Sequence, residues 1–276
     1  MLKPVFVTAR DLPDLWHQCV FLALEEGVAR KRMVTQGSFE GEFRLEFDYL
    51  TGHVLHPGSA QRIPEIPKAL EGMVPPPTDM DYVDRYFARY ILGCEREGNE
   101  QYTYGERATA ATAIPVLHIP YEHLYVEGGS NGQPKIELPK IVNQVELICE
   151  RYRDHGHGNN QLIIQIGQPC DVLLRDPPCL RHIDTRIEEG KLHFIIYYRS
   201  WDLWSGLPAN LAAIQYLKEY MAQQIGVGDG EMIISSKGLH LYGYTWEIAG
   251  CRRGLTAGEM KLLMTEIEAK RTQQEV

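Results

Sequence analysis

Membrane-length apolar runs and basic clusters are both missing from this sequence. No apolar stretch approaches the roughly 20 residues that a spanning helix needs, and the N-terminal segment MLKPVFVTARDLPDLW lacks the apolar centre of a signal peptide. We therefore expect a cytoplasmic protein without a membrane partner. The formal net charge of −9, with no run of five basic residues, argues against general nucleic-acid binding, because surfaces that track phosphates are usually basic. An anionic substrate would need a local cluster of arginines.

Paired CxxC motifs are missing as well, although the chain has six cysteines. These cysteines are too widely spread for a disulfide framework, and the spacing of Cys170, Cys179 and His182 matches no standard zinc pattern. We therefore expect free thiols in a reducing compartment and no metal site. Most of the thiols should be small buried hydrophobic side chains.

The chain length of 276 residues suits one large domain or two small ones. Hydrophobic residues at 44% and charged residues at 24% are ordinary for a globular protein, and the sequence has no internal repeat. Six prolines between residues 55 and 80 indicate an irregular connection. We predict a single domain over residues 1–276 that contains this Pro-rich segment.

Apolar residues recur with two different periods along the chain. Spacing of three and four residues predicts helices over 15–29, 82–92, 139–152, 211–225 and 257–270. Alternation with period two, or a short apolar run, predicts strands over 43–47, 162–166, 192–198 and 231–236. Asn210 is placed to cap the fourth helix, with Pro208 just outside its start. The alternation of strands and helices favours a fold that contains both.

The segment RDPPCLRHIDTR, residues 175–186, places Cys179 directly after two prolines and among three arginines. A cysteine acts as a nucleophile only as the thiolate, and nearby guanidinium groups lower its pKa by stabilising that anion. Pro177 and Pro178 fix the backbone before the thiol. On this motif alone, an equally good interpretation is one more buried cysteine that happens to follow a Pro-Pro turn.

The segment YYRSWDLWSGLPAN follows at residues 197–210. Arg199 and Ser200, at the end of a predicted strand, offer a guanidinium and a hydroxyl that together suit a phosphate group. Taken without other motifs, Asn210 is more simply a helix cap and Asp202 a solvated acid.

Three ordered motifs carry a resemblance to a known family. They are PPC at 177–179, RSWDLWSGLPAN at 199–210 and GLHLY at 238–242, with 20 residues from Cys179 to Arg199 and 30 from Asn210 to His240. The chain resembles the thymidylate synthase and pyrimidine hydroxymethylase family, and in its length the short divergent archaeal-type thymidylate synthases. The resemblance implies an α+β fold, a twisted mixed β-sheet flanked by helices, and a homodimer packed sheet to sheet.

The resemblance also implies a mechanism. Cys179 would attack C6 of a uracil nucleotide, and C5 would then capture a one-carbon unit from 5,10-methylenetetrahydrofolate, the co-substrate. Arg199 would bind the nucleotide phosphate and keep Cys179 ionised, and Ser200 would add a hydrogen bond to the phosphate. Tyr104 would join the proton network, and Arg32 would contribute to phosphate binding.

Base, sugar and folate recognition would fall to other motif residues. Asn210 would pair with N3–H and O4 of uracil, since its amide offers one donor and one acceptor side by side. His240 and Tyr242, two residues apart on an extended segment, would hold the sugar 3′-hydroxyl. Asp202 would be a catalytic residue that hydrogen-bonds the folate pterin, and Gly206 would also bind the folate. His240 by itself would more simply be a structural histidine.

The chain departs from the family pattern in two regions. The Arg-Arg pair that the family carries before its cysteine, donated across the dimer, is replaced by the uncharged segment HGNNQLII, so Arg175 and Arg181 become candidate substitutes. The residue after the cysteine is Leu180, where the family commonly has histidine. The family's tryptophan-rich folate region and its catalytic glutamate have no counterpart that we can place.

The missing folate region bears on the product, since a methyl group requires hydride transfer and a hydroxymethyl group results from water. Trp201 and Trp204 lie beside the second motif, and we therefore favour thymidylate synthase acting on dUMP. Hydroxymethylation of a uracil nucleotide is the alternative. A nucleotide-binding regulator without folate chemistry is a third interpretation, against which the intact Cys179 argues.

Overall fold

The structure is a computed structural model. It describes residues 1–36, 39–66, 68, 74–98, 100–112 and 141–274. The start of the predicted helix at residues 139–140 and part of the predicted Pro-rich segment, residues 67 and 69–73, lie outside the described residues. The single-domain boundary stays a prediction.

A six-stranded mixed sheet forms the centre of the fold. Its strands, in chain order, are β1 (Pro4–Ala9), β4 (Tyr49–Val54), β7 (Ile163–Gln165), β8 (Leu180–Glu188), β9 (Lys191–Tyr198) and β11 (Gly228–Ser236). The spatial order is β1-β4-β11-β9-β8-β7. The β1–β4 and β9–β11 pairs are parallel and the other three pairs are antiparallel. The predicted mixed sheet is confirmed.

Two smaller sheets accompany it. A four-stranded sheet consists of β2 (Arg30–Met33), β3 (Phe43–Glu46), β10 (Trp201–Asp202) and β12 (Leu239–Tyr242), in the order β10-β12-β3-β2. A short pair joins β5 (Ala111–Thr112) to β6 (Ile141–Val142). The four-stranded sheet brings the second and third sequence motifs together, because Asp202 on β10 pairs with His240 on β12.

Helices flank the sheets. They are α1 (Leu12–Ala23), α2 (Met80–Tyr86), α3 (Tyr104–Thr109), α4 (Gln144–His155), α5 (Gly206–Ile225), α6 (Trp246–Arg253) and α7 (Ala257–Gln274). A π-helical turn, Phe87–Ile91, continues α2, and 3₁₀ turns span Pro169–Leu173 and Gly243–Thr245. Within the described ranges, no helix combines the length and apolar character needed to cross a membrane.

The core lies between the six-stranded sheet and α5, which packs against β9 and β11. On α5 the predicted apolar stripe is buried throughout, and on β9 every second residue from Leu192 to Tyr198 is buried as well. The alternate residues of β9, among them Ile195, are only half-buried. One face of the sheet is therefore covered by helices, while the other face retains accessible apolar side chains.

Three local differences from the sequence-based expectations have physical causes. The first helix begins at Leu12, because the Asp11 side chain accepts a hydrogen bond from the Asp14 amide at 3.0 Å and caps the helix, and it ends at Ala23. Helix α5 begins at Gly206, so Asn210 lies inside the helix and is not its cap. Pro208 also lies inside the first turn of α5, where a missing amide costs no intrahelical hydrogen bond. Strand β8 was not predicted, because charged residues interrupt its apolar alternation.

Candidate active site

The Pro-Pro-Cys turn is held by the side chain of Arg199. Cys179 is half-buried and directly precedes β8, while Arg199 directly follows the neighbouring strand β9. The Arg199 amide donates to the Cys179 carbonyl at 2.8 Å. The guanidinium Nε donates to the carbonyls of Pro177 and Pro178, each at 3.2 Å, and Nη2 donates to Asp176 Oδ1 at 2.9 Å. This clamp fixes the direction in which the Cys179 side chain leaves the backbone.

Two opposing effects act on the Cys179 thiol. Burial raises its pKa, because the thiolate loses water, and Asp176 raises it further. The positive charges of Arg199, Arg44 and Arg181 lower it. Burial is the largest effect and the net pKa of Cys179 is raised, which is opposite to the lowered pKa expected from the neighbouring arginines. For the thiol to ionise when a substrate binds, the lowering of its pKa by the arginines would have to outweigh the raising by burial.

Tyr104 lies beside the thiol at the N-terminus of α3. Thr103 caps this helix by a reciprocal pair of hydrogen bonds with Glu106. The hydroxyl of Tyr104 accepts a hydrogen bond from the Leu180 amide at 3.2 Å, which ties α3 to the residue after Cys179. Gly105 permits this close packing, since a Cβ there would come within 2.1 Å of the Gly93 carbonyl oxygen. The Tyr104 hydroxyl is thus fixed next to the start of β8.

Further tyrosines surround the same place and were not predicted as site residues. The Tyr104 ring packs against those of Tyr90 and Tyr102, with centroids 5.0 and 6.1 Å away. Burial raises the pKa of Tyr90, Tyr102, Tyr104 and Tyr198, and a negative charge on Cys179 would raise each one further. The hydroxyl of Tyr198 is buried and has no hydrogen-bond partner among the described residues. In sequence, Tyr86 and Tyr90 have helical spacing and therefore resembled ordinary core packing.

Asp202 holds the entrance of α5. Its carboxylate accepts hydrogen bonds from the backbone amides of Trp204, Ser205 and Gly206 at 3.1, 3.1 and 2.9 Å, and from the Ser205 hydroxyl at 2.7 Å. A negative charge at this position also interacts favourably with the helix dipole. Asp202 is therefore hydrogen-bonded to the start of α5 and is not simply a solvated acid. Gly206 is the first residue of the helix, and its amide is one of the three that Asp202 binds.

Asn210 lies one turn further along α5, where its side-chain oxygen accepts a hydrogen bond from the indole N–H of Trp201 at 2.8 Å. Among the described residues, its amide nitrogen has no acceptor. Trp201 and Trp204, expected to help exclude water, are instead packed in the core, with 2% and 5% exposure. The carbonyl of Trp204 accepts from the indole of Trp16 at 2.9 Å.

His240 presents an unpaired acceptor. Its Nδ1 lies 2.7 Å from the Gly238 carbonyl, which can only accept, so Nδ1 carries the proton and Nε2 is left as an acceptor. Nε2 is buried without a partner among the described residues. Burial, and next the charge of Arg44, lower the pKa of His240 to about 4. Gly238 allows the strand to approach, since a Cβ would lie 3.1 Å from the Arg199 carbonyl oxygen.

Tyr242 lies two residues beyond His240, and their rings meet edge to face with centroids 4.6 Å apart. The ring of Phe39 also packs against Tyr242, with ring centroids 4.3 Å apart. Burial raises the pKa of Tyr242 to about 12, so its hydroxyl stays protonated at neutral pH. The two predicted sugar-binding residues are thus brought together as the period of the strand requires.

Arg44 is a candidate site residue that the sequence analysis missed. It pairs with Tyr242 across β3 and β12, and its charge lowers the pKa of both Cys179 and His240. Its Nη2 lies 2.5 Å from Glu46 Oε2, while its Nε is buried without a partner among the described residues. The alternation of side chains between the two faces of β3 could have identified Arg44 as a site residue, since Arg44 lies on the face opposite to Leu45.

The remaining predicted cations are engaged in ion pairs. Arg32 bonds to Glu46 at 3.1 Å and to Asp48 at 2.8 Å. Arg181 bonds to the buried Asp171 at 3.1 Å. Arg175 is exposed and lies 3.4 Å from Glu40, and the half-buried Ser200 directly follows Arg199. Within the described residues, no cluster of three or more potential metal ligands is present.

A separate cavity of about 520 Å³ contains none of the predicted site residues. It is lined by polar side chains of the six-stranded sheet and the segment after β4, including His56, Lys191, His193, Asp229 and Glu231. The candidate active site is therefore defined by the convergence of motifs around Cys179 and not by this cavity.

Comparison with known proteins agrees with the fold and the motifs. The family model for thymidylate synthase matches residues 104–274, which is more than half of the chain. The chain belongs to the thymidylate synthase family.

Two similar proteins come from archaea of the genus Methanosarcina. One from Methanosarcina barkeri, named "Putative thymidylate synthase", is 27% identical over 162 residues, which cover 59% of this chain and 62% of that protein. One with the same name from Methanosarcina acetivorans is 29% identical over 117 residues, covering 42% and 54%. The chain spans between 54% and 62% of the length of these curated relatives.

Proposed function

We propose that this protein transfers and reduces a one-carbon unit from 5,10-methylenetetrahydrofolate to C5 of dUMP, giving dTMP through a covalent adduct on Cys179. One observation above all supports this proposal. A half-buried thiol lies among the charges of Arg199, Arg44 and Arg181, Arg44 and Arg199 also act on His240, and Tyr198 responds to the charge of Cys179. Nε2 of His240 and the hydroxyl of Tyr198 are buried without a partner among the described residues. Buried polar atoms without partners are rare and costly, and a polar ligand would satisfy them.

Cys179 acts as the nucleophile. After the thiol has released its proton to water, its sulfur adds to C6 of the uracil ring, the C5–C6 double-bond electrons move toward O4, and C5 becomes the carbon nucleophile. The folate supplies the one-carbon unit and the hydride. The C5 proton would then be lost to a base as the bond from the one-carbon unit to the folate nitrogen breaks. The hydride would reduce the methylene left on C5 to a methyl group, and the C6–S bond would break to restore the ring and the thiolate, with dihydrofolate as the second product. The clamp of Arg199 on the Pro-Pro-Cys turn keeps the sulfur in one position throughout.

Arg199 binds the nucleotide phosphate as well. Its guanidinium donates hydrogen bonds to backbone carbonyls and to Asp176. A phosphate dianion is a stronger partner than a carbonyl and attracts a guanidinium with two parallel hydrogen bonds. Ser200 adds a hydroxyl donor, and Arg32 contributes once it exchanges a carboxylate for phosphate. Arg44 adds positive charge on the side of Tyr242.

Base and sugar are recognised by neutral hydrogen-bonding groups. Asn210 offers its oxygen to N3–H and its amide nitrogen to O4 of uracil. The Nε2 acceptor of His240 and the hydroxyl of Tyr242 hold the 3′-hydroxyl of the sugar. Because the pKa of His240 is about 4, this acceptor is available at every physiological pH.

The hydroxyl of Tyr104 joins the proton network at C5, since the Leu180 amide already fixes it next to Cys179. Asp202 binds the folate and also holds the first turn of α5, where its carboxylate accepts a hydrogen bond from the Gly206 amide. The partner molecules are thus a small nucleotide and a folate. The half-buried apolar face of the six-stranded sheet supports a homodimer packed sheet to sheet.

Hydroxymethylation of a uracil nucleotide is the alternative, and one observation favours it. Trp201 and Trp204 are core residues, so neither is free to cover the reacting carbon against water. Incubating the protein with dUMP and methylenetetrahydrofolate distinguishes the reactions when dihydrofolate absorbance is followed and the nucleotide is identified by mass. We expect dihydrofolate and a nucleotide that has gained a methyl group.

A hydroxymethyl product without dihydrofolate would contradict thymidylate synthesis and support hydroxymethylation. Nucleotide binding without turnover would leave a non-catalytic regulator. Cys179→Ser is the matched control and should give no product of either kind.

A further inference from the structure

Trp201 lies next to Asn210, the residue proposed to recognise the base, and its neighbours fix its position. It is 2% exposed, and its ring stacks on Tyr198 with a centroid distance of 3.8 Å and an interplanar angle of 7°. Its backbone amide donates to the Gly238 carbonyl at 3.0 Å, and its position in β10 pairs with Leu239 of β12. The indole therefore has one orientation, and its N–H has one direction.

That N–H donates to the side-chain oxygen of Asn210 at 2.8 Å. An indole N–H can only donate, whereas an amide side chain carries a donor at one end and an acceptor at the other. Turning the Asn210 amide over would place its NH₂ group against the indole N–H, so two donors would face each other. Trp201 therefore allows one of the two amide orientations and penalises the other.

The allowed orientation matches one base. With the Asn210 oxygen fixed toward Trp201, its second lone pair is left to accept from a base, and the amide nitrogen, which has no acceptor among the described residues, is left to donate. Uracil offers a donor at N3 and an acceptor at position 4. Cytosine offers an acceptor at N3 and a donor at position 4, so it needs the inverted amide.

We propose that Trp201 is a specificity-determining positioning residue, which locks the Asn210 amide so that the site accepts uracil nucleotides and rejects cytosine nucleotides. This inference rests on the proposed function, because it takes Asn210 to be the residue that reads the base. Trp201 itself does not touch the base. It acts by making the inverted amide costly, which is the way a buried polar site rejects a mismatched ligand.

The test compares binding of dUMP and dCMP to wild-type protein and to Trp201→Phe. Phenylalanine keeps an aromatic ring against Tyr198 but has no N–H. Losing one buried hydrogen bond that enforces orientation should reduce the ratio of dCMP to dUMP dissociation constants on the order of tenfold. We expect most of the change in tighter dCMP binding. Dissociation constants measured by calorimetry do not depend on turnover.

Two further variants make the test specific. Trp16→Phe also removes a buried indole N–H that donates a hydrogen bond, to the Trp204 carbonyl, but it does not contact Asn210. It should leave the ratio unchanged. In an Asn210→Ala background, Trp201→Phe should no longer alter the ratio, because no amide remains to be oriented. If Trp201→Phe fails to fold, benzothienylalanine at position 201 replaces N–H by sulfur and keeps the shape of the indole.

The outcomes separate the inference from the proposed function. A smaller ratio of dCMP to dUMP dissociation constants in Trp201→Phe, but not in Trp16→Phe, supports the inference. A wild-type preference for dUMP that Trp201→Phe leaves unchanged overturns the inference while the proposed function stands. Wild-type protein that binds neither nucleotide overturns the proposed function and the inference together.

Discussion

Arg199 contacts the loop of Cys179 through both its backbone and its side chain. The backbone amide donates to the Cys179 carbonyl at 2.8 Å, while the guanidinium donates to the carbonyls of the two preceding prolines. Arg199 thus sets the geometry of the thiol and supplies the positive charge that lowers its pKa most. Burial opposes this charge and has the larger effect on the pKa, so the balance between the two governs the reactivity of the thiol.

Replacing Arg199 by glutamine should raise the pKa of Cys179 further. The neutral amide no longer stabilises the thiolate, so alkylation of Cys179 by iodoacetamide should shift to higher pH. Quantifying the alkylated Cys179 peptide by mass spectrometry separates it from the exposed Cys94, Cys170 and Cys251. Arg186→Gln is the control, since Arg186 is an exposed residue paired with Glu188, and it should leave the profile unchanged.

Arg199→Lys separates charge from geometry. It keeps the positive charge but cannot reach both proline carbonyls with a planar fork, so its alkylation profile should lie nearer to wild type than that of Arg199→Gln. An alkylation midpoint for Arg199→Gln at or below the wild-type value would show that the guanidinium does not stabilise this thiolate.

The buried His240 makes the free energy of unfolding depend on pH. Its pKa of about 4 in the folded state lies below the ordinary value of about 6.5, so between these values the unfolded chain binds a proton that the folded chain does not. Stability from neutral His240 is therefore complete above about pH 6.5 and is lost as the pH falls toward 4. Replacing His240 by asparagine should reduce the slope of stability against pH in this window by up to about 1.4 kcal/mol per unit.

Urea unfolding at several pH values between 4 and 7 measures this slope. His155→Asn, at the exposed end of α4, is a matched control that removes a histidine from the surface. An unchanged slope for His240→Asn would mean that His240 titrates alike in the folded and unfolded chain.

Much of the site could be predicted from sequence, because it depends on short motifs and on the period of a strand. His240 and Tyr242 share a face since residues two apart on a strand always do, and Arg199 follows Cys179 across a strand pair whose two strands are adjacent in the chain. Apolar periodicity predicted most helices and three strands of the six-stranded sheet, β7, β9 and β11, whereas the mixed sheet itself was implied by the family resemblance. The interruption of β8 by charged residues hid that strand, since its solvent-side residues break the apolar run.

Other parts depend on contacts that apolar periodicity does not encode. Arg44 reaches the site only through the pairing of β3 with β12, and Tyr198 and Trp201 meet across a bend after β9. Asn210 has the sequence signature of a helix cap, yet Asp202 supplies the capping acceptor and Asn210 falls inside α5. The balance between burial and arginine charge at Cys179 is also a tertiary property, which no local pattern encodes.

The half-buried face of the six-stranded sheet gives a prediction about assembly. Ile233 on β11 is 37% exposed and lies beside Ile195 on β9 and His53 on β4. A carboxylate at this position in a buried interface would lose water without gaining a partner. We therefore expect Ile233→Asp to convert a dimer into a monomer, as measured by light scattering after gel filtration.

Leu262→Asp serves as the control for this change. Leu262 on α7 is 66% exposed, and α7 contacts α6 and β2 of the four-stranded sheet, so replacement of Leu262 should not alter the mass in solution. A wild-type protein that is already monomeric, or an Ile233→Asp protein that remains dimeric, would contradict sheet-to-sheet packing.

The most direct test of the whole account is covalent capture of the nucleotide by Cys179. 5-Fluoro-dUMP has fluorine where C5 must lose a proton, so the reaction with methylenetetrahydrofolate should stop at the bound stage. We predict that intact mass spectrometry shows one added nucleotide and folate per chain, located by peptide mapping to Cys179, and none on Cys179→Ser. An unmodified wild-type chain, or an adduct that persists in Cys179→Ser, would contradict the assignment of Cys179 as the nucleophile.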